Sequence, residues 1–169
     1  MSHPEQTRFV QSVKDKFPEY FFDKSVLEVG SLNINGTVRD LFKDCLYTGV
    51  DLAPGKGVDL VGPVHTLELD KFDTVISCEC FEHDKYWKET FQKMYDVCTG
   101  LVVFSCATEG RSEHGTTRTS PQDSPFTNDY YMNLTAQDFI NAFELDKMFK
   151  KYEFSSCERP ADLYFWGIK

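Results

Sequence analysis

Asp51 closes a short apolar run, Leu46-Tyr47-Thr48-Gly49-Val50-Asp51, and lies 21 residues after Gly30, which closes another, Ser25-Val26-Leu27-Glu28-Val29-Gly30. An acidic side chain at about that distance from a glycine turn is placed to accept hydrogen bonds from both ribose hydroxyls of a bound nucleoside. The loop Gly30-Ser31-Leu32-Asn33-Ile34-Asn35-Gly36 lets backbone approach a ligand closely, and a helix expected from about Gly36 to Phe42 would offer free N–H groups to an anion. A third run, Phe72-Asp73-Thr74-Val75-Ile76-Ser77-Cys78, opens with an acid and ends in the polar and aromatic cluster Glu79-Cys80-Phe81-Glu82-His83. Each signal alone is as well explained by ordinary turns and loop caps; together they favour a nucleoside-binding cleft.

Those residues need strands to hold them. Four further apolar stretches of strand length are Gly57 to Gly62, Leu101 to Cys106, and the closely spaced pair Tyr152 to Ser156 and Leu163 to Ile168, whose short connection demands an antiparallel hairpin. Helical spacing marks Phe9, Val10, Val13 and Phe17, within an N-terminal segment of residues 1–24. A further helix is expected after a cap at Asp84, with Trp87, Phe91, Met94, Tyr95 and Cys98 repeating and Gly100 ending it; another starts at Thr135 and turns Phe139, Ile140 and Phe143 inward. Strands alternating with helices imply right-handed crossovers and a doubly wound, Rossmann-like α/β sheet of seven strands, mixed because the last strand is antiparallel. The 169 residues fit one domain, without repeats or linkers.

Residues 107–133 break the pattern. They are polar, aperiodic and too long for a passive connection, and carry Arg111, His114, Arg118, Phe126, Tyr130 and Tyr131, so we read a lid over the active site.

The formal charge is -9, from 27 acidic and 18 basic residues, which argues against a phosphate-backbone partner. No stretch approaches a membrane span and the N-terminus lacks the features of a signal peptide, so a cytoplasmic protein is expected. The six cysteines form no C-x-x-C pair and read as reduced, small hydrophobes.

The order and spacing of the Val26–Gly30 strand, the acidic Asp51, the Phe72–His83 segment and the closing Asp162–Lys169 hairpin resemble the class I S-adenosylmethionine-dependent methyltransferases, over nearly the whole chain. What the resemblance implies is S-adenosylmethionine as cofactor, its methionine part at Glu28, Gly30 and Ser31 with Asn35 in the same loop, its ribose on Asp51, and its adenine beside Leu52. Pro63, His65, Cys78 and Glu79 would complete the pocket. The chain departs from the family's pattern at Leu32 and Ile34, where glycines are usual, with Asn33 and Asn35 suited to supply a left-handed turn. It departs also at Pro63 and Val64, where an acid often faces the adenine amine, leaving that role to His65 or to backbone.

Methyl transfer needs an aligned nucleophile and, for a hydroxyl, a base. His83 and His114 are the candidates, the bland alternative for His83 being to cap or pack beneath the following helix. A cation site from Glu82, His83, Asp84 and His114 is conceivable, but no fixed spacing compels it and no metal is expected. The acceptor is read as a small, hydroxylated metabolite or sugar, and the protein as a monomer or weak homodimer. An oxidoreductase is a poorer fit, for want of its glycines; a methyltransferase-like fold that binds cofactor or a partner without catalysis is the remaining alternative.

Overall fold

The structure is a computed structural model and describes residues 4–169; the first three residues of the expected N-terminal segment lie outside the described residues. The chain runs α1 (Pro4–Lys16), β1 (Ser25–Val29), β2 (Leu46–Asp51), β3 (Leu60–Val61), β4 (Phe72–Cys78), α2 (Trp87–Val97), β5 (Cys98–Ala107), α3 (Ala136–Ala142), α4 (Leu145–Met148), β6 (Lys151–Cys157) and β7 (Asp162–Ile168). All seven strands join one sheet in the order β3-β2-β1-β4-β5-β7-β6, parallel except that β7 pairs antiparallel with both β5 and β6. Sheet order reverses between β1 and β4, which makes the carboxyl ends of those strands the natural crevice.

Period-2 alternation divides the strand residues between two packed faces. Leu27, Val75, Val102, Phe104 and Phe165 face α2 and α3, where Phe81, Phe91 and Phe139 complete a cluster of rings. Val26, Ile76, Leu101, Val103 and Trp166 face the other way, beneath Val10 and Val13 of α1 and Phe21. Cys78, Cys98 and Cys106 are buried, and every cysteine is a free thiol.

The helix expected over Gly36 to Phe42 is a single 3-10 turn, Arg39–Leu41. The Thr37 hydroxyl accepts the Arg39 N–H, a local bond that competes with helix propagation, and the β-branched pair Thr37-Val38 adds to the cost. The third strand shrinks to two residues. α2 ends at Val97, and Gly100 lies inside β5, where the Tyr20 ring and the Asp73 carbonyl would meet any Cβ. Asp84 sits just before α2 rather than at its cap, accepting from the Tyr86 N–H and the Thr90 hydroxyl. The Thr135–Asp138 capping box forms as the sequence indicates, but of the residues it aims inward Phe139 is buried and Ile140 is exposed.

One acid pays for its place in the sheet. Glu28, at the middle of β1, shares the α1 face with Val26 and receives the Tyr47 hydroxyl at 3.0 Å. Burial lifts its carboxyl from 4.5 to about 7. The folded chain therefore holds this proton more tightly than the unfolded chain; the stabilisation is full below about pH 4.5 and is lost as pH rises through about 7. Glu28→Gln should leave the melting temperature little changed at pH 4 and raise stability at pH 8 by up to about 3 kcal/mol. Denaturant melts at the two pH values check this, and a variant less stable at pH 8 would contradict it.

Candidate functional site

The carboxyl ends of β1, β2, β3 and β4 surround a cleft of about 310 Å³, at the small end of the range for ligand sites. Gly30, Asp51, Leu52, Pro63, His65 and Glu79 line it, as the sequence suggests. Asp51 binds the two neighbouring loops: one carboxylate oxygen accepts the Leu32 N–H at 3.0 Å, the other the Ala53 N–H at 3.1 Å. The Gly30 and Ser31 N–H groups in turn bond the Val50 carbonyl. Each Asp51 oxygen has a second lone pair, so the group can still receive two hydroxyls.

Gly30 has φ +77, and a Cβ there would stand 2.7 Å from the Cys80 Cβ. The close approach of the loops after β1 and β4 therefore requires glycine. Glu79 also lies in the left-handed region, at φ 52, a strained position for a non-glycine residue directly after β4. Its carboxylate receives the Ser105 hydroxyl at 3.0 Å and has Arg111 at 3.6 Å, while Arg111 binds Asp162 at 2.7 Å. Ser105 accepts from Gln6 of α1 at 2.8 Å, so a buried polar chain runs from the first helix to the cleft.

Four residues that the resemblance assigns to the cofactor are not among those that line the cleft. Glu28 and Cys78 point into the α1 side of the sheet, because strand alternation sends them away from the crevice. Ser31 is buried against Gly49, and Asn35 is exposed outside the cleft. The left-handed turn falls at Gly36 instead of at an asparagine, with Asn33 acting through its side chain, which accepts the Gly36 N–H at 3.0 Å.

The far wall holds residues that the sequence did not single out as cleft-lining: Leu32, Ile34, Cys80, Lys85, Tyr86 and Thr90. Tyr86 packs at 4.9 Å from the His65 ring. Leu32 and Ile34 belong to the loop that the sequence marks for its missing glycines and Cys80 to the Glu79–His83 cluster, while Lys85, Tyr86 and Thr90 had no signal but adjacency to that cluster. From the long loop, residues 123–128 reach the cleft, and Phe126 is 70% exposed at its mouth. Arg118, by contrast, is occupied within the loop by Glu113 and Asp129.

His83 lines the cleft and His114 does not, but their rings meet edge to face at 4.9 Å with Tyr131 against both. Burial, reinforced by His114, pushes the His83 pKa down to about 3, so at neutral pH this imidazole is uncharged and only weakly basic. Glu82 is fully buried beside them, and burial together with Glu79 pushes its carboxyl well above the usual range.

No family model and no curated protein matches the chain. Solved structures do. The N-terminal domain of EvdMO1, in the presence of SAH and D-fucose, aligns with TM-score 0.64 at 16% identity over 99% of this chain and 84% of that one. A 1,6-didemethyltoxoflavin-N1-methyltransferase of Burkholderia thailandensis, with bound 1,6-didemethyltoxoflavin and S-adenosylhomocysteine, aligns with TM-score 0.62 at 14% identity over 100% and 91%. Magnesium protoporphyrin IX methyltransferase (ChlM) from Synechocystis PCC 6803, with bound SAH, gives 0.59 at 14% over 100% and 89%. The chain has the Rossmann-like fold of the class I S-adenosylmethionine-dependent methyltransferases.

Gly30→Ala tests the loop contact. It should cost about 1–3 kcal/mol from strain and overlap with Cys80. Thermal melts of the two proteins measure it, and an unchanged melting temperature would show that the loops have slack.

Proposed function

We propose that the protein transfers a methyl group from S-adenosylmethionine to a small-molecule acceptor bearing a hydroxyl. The single observation that carries this reading is the Asp51 carboxylate, fixed by the Leu32 and Ala53 N–H groups at the end of β2 and lining one cleft with Gly30. A carboxylate so held meets the two ribose hydroxyls without reorganising. Leu52, Pro63 and His65 border the same cleft, and they offer an apolar slot and a ring for an adenine. Glycine backbone at Gly30 and the polar wall around Glu79 would flank the methionine part.

Three further points support it. The fold is one in which the solved relatives hold SAM or SAH. Residues 123–128 border the cleft, where a lid would exclude water from a sulfonium centre. The acidic balance of the chain suits a metabolite better than a nucleic acid. Among the described residues no helix is long and apolar enough to cross a membrane.

In this reading the chain's own work is positional. The cleft aligns acceptor oxygen, methyl carbon and sulfur, and His83 and His114 stand at the acceptor end. His83, neutral and buried, orients a hydroxyl by accepting its proton in a hydrogen bond, while the more exposed His114 is the better candidate to carry that proton off.

Isothermal titration with S-adenosylhomocysteine should give one site in the parent, and Asp51→Ala should weaken it by tenfold or more, the loss of a hydrogen-bonded charge at about 1.5–3 kcal/mol. Equal affinity in the two proteins would remove Asp51 from the site. Cofactor binding without methyl transfer to any of a panel of sugars and phenols would favour the non-catalytic alternative.

A further inference from the structure

Beside the cleft, the 3-10 turn Phe81–His83 presents Glu82 and His83 in succession, and the long loop brings His114 against them. One ligating atom from each residue can be chosen so that all lie within 4.8 Å of one another. Glu82 is fully buried, and neither carboxylate oxygen has a hydrogen-bond partner among the described residues. The one opposite group in ion-pair reach among those residues is His114 Nε2, at 3.8 Å. His83 Nδ1 is likewise buried without a partner.

One ring nitrogen of the pair is fixed by backbone. His114 Nδ1 faces the Ser112 carbonyl at 3.1 Å. That leaves His114 Nε2 and His83 Nδ1 with lone pairs for the space beside Glu82. Metal-binding histidines have this arrangement, one nitrogen fixed by a carbonyl and the other free to ligate. Tyr131 covers both rings, and its hydroxyl bonds the same Ser112 carbonyl.

Leaving a buried carboxylate and a buried imidazole nitrogen without partners costs several kcal/mol. Neighbouring acids avoid this: Arg111 reaches Glu79 and Asp162, and Ser105 donates to Glu79. No such donor serves Glu82 among the described residues. A cation between Glu82, His83 and His114 would satisfy all three. Two imidazoles and one carboxylate suit a divalent first-row transition metal better than calcium or magnesium, which prefer oxygen alone. A tetrahedral ion with ligands at about 2.0–2.1 Å holds them ~3.4 Å apart, so atoms now within 4.8 Å need approach by at most about 1.4 Å.

We propose that Glu82, His83 and His114 bind one divalent first-row transition-metal ion at the acceptor end of the cleft. The sequence names these three residues, with Asp84, as a conceivable cation site but gives no spacing that compels one, since the third ligand comes from a remote loop, and no metal is expected from it. Resting on the methyltransferase reading, the ion's open position takes the acceptor's oxygen and so selects hydroxylated acceptors. With His83 and His114 occupied as ligands, they no longer take the proton as they would without the ion: the bound hydroxyl gives it to solvent, its oxygen forms the bond to the methyl carbon as the carbon–sulfur bond breaks, and neutral S-adenosylhomocysteine leaves.

The test is titration of the chelator-treated full chain with Co²⁺, followed by visible absorption, and with Zn²⁺, followed by calorimetry. The parent should take one equivalent of each. Glu82→Gln, nearly isosteric, and His114→Ala should each weaken binding tenfold or more, whereas Glu153→Gln, an exposed acid on the edge strand β6, should bind as the parent does. A folded parent that takes up no metal, or equal affinity in the Glu82→Gln variant, overturns the proposal. S-Adenosylhomocysteine titrated into the same metal-free protein keeps the two readings apart: cofactor binding without metal binding overturns the ion alone, and metal binding without cofactor binding upholds the ion and overturns the cofactor reading.

Discussion

The Asp51 carboxylate accepts an N–H from each of two loops, Leu32 after β1 and Ala53 after β2. That pair of bonds sets the edge of the cleft. The loop after β1 has no helix to brace it, only the Asn33–Gly36 turn and the 3-10 turn at Arg39–Leu41. In a doubly wound sheet the first helix normally rigidifies this loop; here a side chain from the next strand takes over much of that work. The charge that fits a ribose is thus also a structural strut, and the two roles use different lone pairs.

The opposite wall is organised by a second buried acid. Glu79 leaves β4 with left-handed backbone, and Ser105 and Arg111 hold its carboxylate. Behind Ser105 stands Gln6, so α1 reaches the cleft through β5. Arg111 joins the start of the long loop to Asp162 at the start of β7. Two short polar relays therefore fix the loops that the sheet itself leaves free, and the apolar face beneath them, built around Phe81, Phe91, Phe104 and Phe139, keeps that end of the sheet rigid.

Much of the fold was legible in the sequence because the strands are continuous apolar runs whose period of two or full burial leaves little choice. The closing hairpin followed from its short connection, and the Thr135–Asp138 box from local hydrogen bonding. The misses have local causes. Gly36 to Phe42 has the length of a helix, but the Thr37 hydroxyl and the β-branched pair favour a single turn. Gly100 reads as a helix stop, yet it serves close packing within β5. Of the residues that the sequence assigns to the pocket, those at strand ends, including Gly30, Asp51, Pro63 and His65, line the cleft. Glu28 and Cys78 were misplaced because a resemblance fixes position along a strand more readily than the face on which a side chain emerges. The Glu82–His83–His114 cluster joins two segments that only the folded loop brings together.

A crystal structure of the chain with S-adenosylhomocysteine tests the central claim most directly. The account predicts the ribose hydroxyls within hydrogen-bond distance of both Asp51 oxygens, with the Leu32 and Ala53 bonds intact and the adenine between Leu52 and His65. Nucleoside bound elsewhere, or a ribose directed away from Asp51, would contradict it.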